Sequence, residues 1–184
     1  PIRLGQSFGA YAAVIERDIQ RIKNLEEELK ILNIGATAVG TAINVNPVYL
    51  FHIIHNINLV CGTDCSQAEN LFDATQNLDG FVHTSATLKV CAVNLSKICN
   101  DLRLLSSGPR AGLGEINLPP KQNGSSIMPG KINPVIPEVV SQVAYNVIGN
   151  DVTVTMAAEA GQMELNAFEP VIFYKIFESI DTLK

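Results

Sequence analysis

Apolar residues recur every three or four positions in four long stretches of the chain, a pattern typical of amphipathic helices. The first predicted helix covers residues 4–29, and polar side chains such as Arg17 and Asp18 fill its other faces. The second covers about residues 79–105. The third runs from near Pro134 to about Ala160 and is apolar almost all round, and the fourth runs from about Asn166 to the last residue. An apolar seam for a neighbouring helix is expected in the second helix at Leu88, Cys91, Leu95, Ile98, Leu102 and Leu105.

Strand signals are weak, because no segment alternates apolar and polar residues between hairpin turns. Two loop regions, residues 32–47 and 106–133, separate the helices. The second is long enough to suggest a function, since long loops inside compact helical proteins are usually functional or disordered. A polar break at 149–151 interrupts the third helix and predicts either partners for its polar groups or a kink. The predicted fold is all-α, a bundle of long helices.

Composition narrows the function classes. The 184 residues suit one domain, and 47% hydrophobic against 17% charged residues excludes intrinsic disorder. This apolar surplus predicts a partner subunit that covers part of the surface. A sequence pI of about 5.1 without a basic run argues against nucleic acid as a partner.

Membrane and secretory features are not expected. The stretch from Ile31 to Thr63 lacks charged residues, but asparagines, histidines and a proline interrupt it, and no apolar run reaches the roughly 18 residues that a span needs. The start of the chain does not resemble a signal peptide. Cytosolic thiols, rather than disulfides, are expected at Cys61, Cys65, Cys91 and Cys99, and we expect a cytoplasmic protein.

Two further groups of residues are weaker candidates for a functional site. His52, His55, Cys61 and Cys65 carry zinc-ligating side chains, but the Cys-x-x-x-Cys spacing lacks a tight knuckle, so no metal site is predicted. The glycine cluster at 35–41 lacks the preceding strand and the lysine of a phosphate loop, and the cluster at 108–114 follows a helix, unlike a dinucleotide fingerprint. Both favour backbone turns or close helix approach over nucleotide binding.

The segment 124–134, Gly-Ser-Ser-Ile-Met-Pro-Gly-Lys-Ile-Asn-Pro, combines two hydroxyls, a cation and two glycines with the start of a helix. Asn133 is a good N-cap, Pro134 suits the first helical position, and Pro137 offers an alternative start. The positive end of the helix dipole beside Lys131 predicts a carboxylate site. An ordinary flexible connector leading into a capped helix is the alternative.

This loop resembles the signature loop of the aspartase/fumarase superfamily, and segments 33–41, 97–103 and 107–112 also fit that family. Segments 137–142, 149–151 and 155–162 are similar to its aspartase branch, as is Glu169 before Pro170, where fumarases usually carry Arg. Ala42 replaces a usual Gly, which we interpret as a packing change with little effect on chemistry.

The resemblance implies reversible deamination of L-aspartate to fumarate and ammonia, by anti elimination through an aci-carboxylate intermediate. It also implies that residues 1–184 form the central helical domain of a longer enzyme whose N-terminal and C-terminal domains are missing here. That enzyme is expected to be a homotetramer with each active site assembled from three subunits. The isolated chain is expected to be inactive. Fumarate hydratase and a non-catalytic helical oligomerisation module remain alternatives.

Position in the motif assigns the site residues. Ser125 corresponds to the family's general base, and Glu138 to a carboxylate that orients a histidine from another segment. Contacts with the small dicarboxylate substrate are implied for Ser126, Met128, Lys131 and Asn133. No cofactor or resident metal is expected, although divalent metal activation of the longer enzyme stays open.

Overall fold

The computed structural model describes residues 1–128 and 130–184, and Pro129 of the predicted loop lies outside the described residues. The structure is mainly helical, which confirms the predicted all-α architecture. Its elements are α1 (Leu4–Leu29), β1 (Ile31–Leu32), α2 (Pro47–Cys61), β2 (Ser66–Gln67), α3 (Leu71–Gln76), α4 (Asp79–Leu105), α5 (Val135–Glu159) and α6 (Glu169–Leu183). The four long helices agree closely with the predicted ones, whereas α2 and α3 are additions.

The two additional helices carry clear capping residues. Asn46 accepts a hydrogen bond from the Val48 N–H at 2.8 Å, and Pro47 occupies the start of α2. Gly62 ends that helix in the left-handed region at φ 66°. At the start of α3, the Asn70 side chain accepts hydrogen bonds from two backbone N–H groups. These are standard helix boundary signals, and they are readable in the sequence.

The long helices pack as a bundle in which α4 lies along α1 and α5, and α5 lies along α6. Of the predicted seam in α4, Leu88 is buried and the other five residues are half-buried. Several of the most buried α4 positions carry small or hydroxyl side chains, which let the helix backbones approach closely. The main apolar core consists of Leu78, Leu88, Ala92, Ala144, Val147, Val154, Ala157, Ile172 and Ile176.

Helix α5 continues through the polar break at 149–151, because two polar side chains there find partners on neighbouring helices. The buried Asn150 donates from Nδ2 to Ser179 Oγ on α6 at 3.1 Å. The buried Asp151 pairs through Oδ2 with Lys89 Nζ on α4 at 2.5 Å. Asn150 and Asp151 Oδ2 thus have partners, which is one of the two predicted alternatives, whereas Asp151 Oδ1 is buried without a hydrogen-bond partner within the described residues.

The connection between β1 and α2 contains several residues with positive φ. Gly40 approaches α3 so closely that a Cβ there would lie 2.4 Å from the Cα of Phe72. Ala42 has φ 53°, a region in which a Cβ is unfavourable. Ala42 therefore occupies a backbone conformation that favours glycine, an effect that our interpretation of a packing change did not include. The five residues are Gly35, Thr37, Gly40, Ala42 and Asn44.

Much apolar surface remains open to solvent. Helix α2 has no buried residue, and Phe51 and Val60 are 81% and 84% exposed. On α5, the side chains of Val139 and Met156 are also exposed. No helix within the described residues is long and apolar enough to cross a membrane.

Candidate functional site

The two arms of the predicted loop are tied together at a neck formed by Gly124 and Lys131. The Gly124 N–H donates to the Lys131 C=O at 2.8 Å, and Asn123 forms an antiparallel bridge with Ile132. A Cβ on Gly124 would lie 2.4 Å from that carbonyl oxygen, so this position requires glycine for a close approach of two backbones. Gly130 has φ 80°, which also favours glycine.

The tip of the loop, beyond the neck, exposes three of the predicted site residues: Ser125, Ser126 and Met128. Ser125 accepts a hydrogen bond from the Ile127 N–H at its Oγ, at 3.3 Å, and another from the Met128 N–H at its C=O, at 3.1 Å. The Met128 C=O in turn accepts from the Lys131 N–H at 3.1 Å. The backbone therefore holds the Ser125 oxygen beside an N–H donor, which is an arrangement that favours a negatively charged oxygen.

The start of α5 differs from the prediction at Asn133. The N-cap is Pro134 and no side chain caps the helix, so the predicted N-cap role of Asn133 is wrong. Asn133 instead accepts a hydrogen bond from the Val135 N–H at its backbone C=O, at 2.9 Å. Pro137 lies within the first turn, where its missing N–H loses no helical hydrogen bond. The Asn133 side chain is thus not engaged in capping.

Glu138 lies in the first turn of α5 and is half-buried. Its N–H donates to the Pro134 C=O at 3.1 Å. A carboxylate in the first turn interacts favourably with the positive end of the helix dipole. Glu138 is thus placed on α5, one turn after the loop ends.

A cavity of about 330 Å³ lies between the second arm of the loop and the chain that follows α4. Two predicted site residues, Lys131 and Asn133, line it, while Ser125, Ser126, Met128 and Glu138 are not among the described residues that do. The remaining lining residues are Ser106, Ser107, Gly108, Pro109, Ile116, Asn117, Leu118, Gly130, Ile132 and Pro134. The structure therefore brings one cation and one amide together and leaves the serines on the tip.

Sequence reasoning missed the wall that faces the loop across this cavity. Ser107 and Asn117 contribute polar groups there. The match of segment 107–112 to the family motif was a signal for this region, but motif matching alone does not show what the segment faces.

The weak zinc candidate is not assembled. His52, His55 and Cys61 are all exposed around α2, and all four cysteines are free thiols. Across residues 1–128 and 130–184, no group of three or more His, Cys, Asp or Glu side chains is placed to hold a metal ion.

Comparison with known proteins decides the family. A family model described as Lyase matches residues 1–149. The chain belongs to this lyase family. The resemblance to the aspartase/fumarase superfamily is confirmed, because curated relatives named aspartate ammonia-lyase align with essentially the whole chain. The relative from Bacillus subtilis is 54% identical over 183 residues, and that from Helicobacter pylori (strain ATCC 700392 / 26695) is 56% identical over 179 residues.

Solved structures of this lyase family share the fold. A protein described as fumarate lyase:delta crystallin from Brucella melitensis, bound to cobalt, superimposes with a TM-score of 0.94 at 53% identity. A class II fumarase from Schistosoma mansoni gives a TM-score of 0.88 at 32% identity. The chain is covered completely in both, but it covers 40% and 41% of those chains. It likewise spans 38% of the length of the two curated relatives.

Proposed function

We propose that this chain forms the central helical domain of an aspartate ammonia-lyase, which converts L-aspartate reversibly to fumarate and ammonia. The observation that carries the proposal is the 54% identity, over the whole chain, to a relative of that name from Bacillus subtilis. The loop at 124–134 supports it, because it places two serines, a lysine and an asparagine next to the start of a helix.

The difficult step of this reaction is removal of a proton from the carbon next to a carboxylate. In the proposed mechanism the Ser125 oxygen takes that proton, and the electron pair left on carbon spreads into the carboxylate as a doubly negative aci-form. When this intermediate collapses, the double bond of fumarate forms, the C–N bond breaks and ammonia leaves. A serine hydroxyl is a weak acid, so its alkoxide needs donors, and the Ile127 N–H at 3.3 Å is one.

Charge develops on the substrate carboxylate during this step, and fixed donors that face it lower the barrier. Lys131 and Asn133 have this role in the proposal, because both line the cavity beside the loop. Ser126 and Met128 are proposed to contact the substrate from the tip when the loop closes over it. Glu138, on the first turn of α5, is proposed to orient a histidine that another part of the enzyme supplies.

We also propose that the longer enzyme is a homotetramer in which three subunits complete each active site. The exposed apolar side chains on α1 and α5 support this, because such surface is usually covered by a partner. Representative residues are Phe8, Ile19, Val139, Val152 and Met156. The isolated chain is then expected to self-associate without turning over substrate.

Fumarate hydratase is the second candidate, favoured by the structural likeness to the class II fumarase. Both reactions share the carbanion step and the loop, so the loop does not separate them. Glu169 at the start of α6 favours the ammonia-lyase, because fumarases usually carry Arg at this motif position.

Activity assays with each of the two candidate substrates test the proposal. The purified longer enzyme is supplied separately with L-aspartate and L-malate, and the ultraviolet absorbance of fumarate is followed. We expect fumarate from aspartate only. Turnover of malate without aspartate would establish the hydratase instead, and turnover of neither, by an enzyme shown to be folded and oligomeric, would favour a non-catalytic module.

Light scattering of residues 1–184 alone tests self-association, and a strictly monomeric result contradicts it.

A further inference from the structure

The wall that faces the loop across the cavity has no role in the proposed mechanism so far. Residues 106–109, which follow α4, and residues 116–118 lie opposite Gly130–Pro134 around a space of about 330 Å³. The position of this wall sets the width of the space that Lys131 and Asn133 face. Whatever fixes the wall therefore controls how well a small ligand fits.

Ser107 makes the hydrogen bonds that hold this wall in place. Its Oγ donates to the Leu104 C=O at 2.6 Å and accepts from the Leu113 N–H at 3.0 Å. Its own C=O accepts from the Gly114 N–H at 2.8 Å. The first of these hydrogen bonds ties Ser107 to the end of α4, and the other two close residues 107–114, which we call the platform.

Close backbone packing completes the platform. A Cβ on Gly112 would lie 2.3 Å from the carbonyl carbon of Ser107, so this contact requires glycine. Directly after the platform, the Glu115 N–H donates to the Leu105 C=O at 2.8 Å. Residues 116–118 therefore enter the cavity wall from a point fixed against α4.

We propose that Ser107 is a positioning residue for the deamination, an inference that rests on the proposed function. Its hydroxyl holds the platform at the separation from Lys131 and Asn133 that suits a bound dicarboxylate. Without the hydroxyl, the Leu113 N–H loses its partner and the Leu104 C=O keeps only the Ser107 N–H at 3.2 Å, so the platform becomes more mobile. Substrate binding must then order the wall, so KM rises while the chemistry at Ser125 is little changed.

The test uses the longer enzyme with L-aspartate as substrate. Ser107→Ala is expected to raise KM about tenfold, equivalent to about 1.4 kcal/mol, and to change kcat by less than about threefold. Ser107→Thr retains a hydroxyl and is expected to keep KM within about threefold of wild type. Gly112→Ala should also raise KM, because the added methyl group would clash with the Ser107 backbone and distort the platform.

Thr63→Ala is the matched control, since Thr63 also has a turn hydroxyl and donates to Asn58 Oδ1 at 2.9 Å, after α2. It should leave KM unchanged. Hydrogen exchange of the amides in 105–118 gives a readout independent of activity, and it should quicken in Ser107→Ala but not in Ser107→Thr.

Three outcomes with an active wild type overturn the role of Ser107: an unchanged KM in Ser107→Ala, a fall in kcat alone, or an equal rise of KM in Thr63→Ala. An inactive wild type overturns the proposed function, and the role of Ser107 with it.

Discussion

Asp18 on α1 and Asn94 on α4 are joined at a buried contact, in which Asn94 Nδ2 lies 3.0 and 2.8 Å from the two carboxylate oxygens. Asp18 is 2% exposed, and its other partner is Arg21 at 2.6 Å. Asn94→Leu is expected to lower the free energy of unfolding by about 2 kcal/mol, because it leaves a buried carboxylate short of donors. Chemical denaturation of the longer enzyme measures this.

Asn24→Ala is the control for that change. Asn24 also lies on α1 and accepts from Gln20 Nε2 at 2.7 Å, but the pair is exposed. Its removal should cost less than about 0.5 kcal/mol. Equal effects of the two substitutions would show that burial of Asp18 contributes nothing.

Ala42→Gly is expected to stabilise the protein. Ala42 has φ 53°, where its Cβ crowds the backbone, while its N–H donates to the Ala36 C=O at 2.8 Å and holds it in that conformation. Glycine relieves this strain but has more conformational freedom in the unfolded chain, which offsets part of the gain. The net increase in the free energy of unfolding should be about 0.5–1 kcal/mol. A rise in Tm tests it, and Ala10→Gly in the middle of α1 should lower Tm.

Asp101 on α4 is expected to make stability pH-dependent in the acid range. The Lys97 ammonium and then the Tyr11 hydroxyl, which donates at 2.7 Å, hold the pKa of Asp101 below its usual value. A lowered folded-state pKa contributes stability above the unfolded value of about 3.9, and this contribution is lost as the pH falls through the folded value. Tyr11→Phe should lower the free energy of unfolding by about 1 kcal/mol at neutral pH, and by less below about pH 4.

Urea denaturation of wild type and Tyr11→Phe at several pH values measures that difference. When Asp101→Asn is also present, the loss of unfolding free energy caused by Tyr11→Phe should depend little on pH. A cost of Tyr11→Phe that grows on acidification would contradict the assignment.

Ser125→Ala in the longer enzyme is expected to reduce kcat by about 10²–10⁴-fold, the range for loss of a general base. KM should change little, because the neck at Gly124 and the lining residue Lys131 are untouched. Steady-state deamination of L-aspartate measures both constants. Thr153→Ala, which removes an exposed hydroxyl of α5, is the control, and unaltered kcat in Ser125→Ala would remove the basis of the proposed mechanism.

Helical periodicity predicted the long helices because their apolar spacing is local information. It placed Asp18 on a solvent face, whereas packing against α4 buries that residue. Helix α2 escaped prediction because its apolar residues are not confined to one side of the helix, although Asn46 and Gly62 mark both of its ends. Local boundary signals were therefore more informative there than periodicity.

Motif resemblance located the loop but not its surroundings. Lys131 and Asn133 line the cavity beside the loop, but the wall around Ser107 depends on how the chain returns to α4. Non-local hydrogen bonds of this kind leave no periodic trace in the sequence. The N-cap assignment of Asn133 failed for a related reason, because good capping chemistry does not fix where a helix begins.

The hydrogen bond between the Gly124 N–H and the Lys131 C=O sets the distance between the two arms of the loop, so that Ser125 and Lys131 share one anchor. A larger residue at position 124 would therefore change the separation of these two groups without replacing either of them.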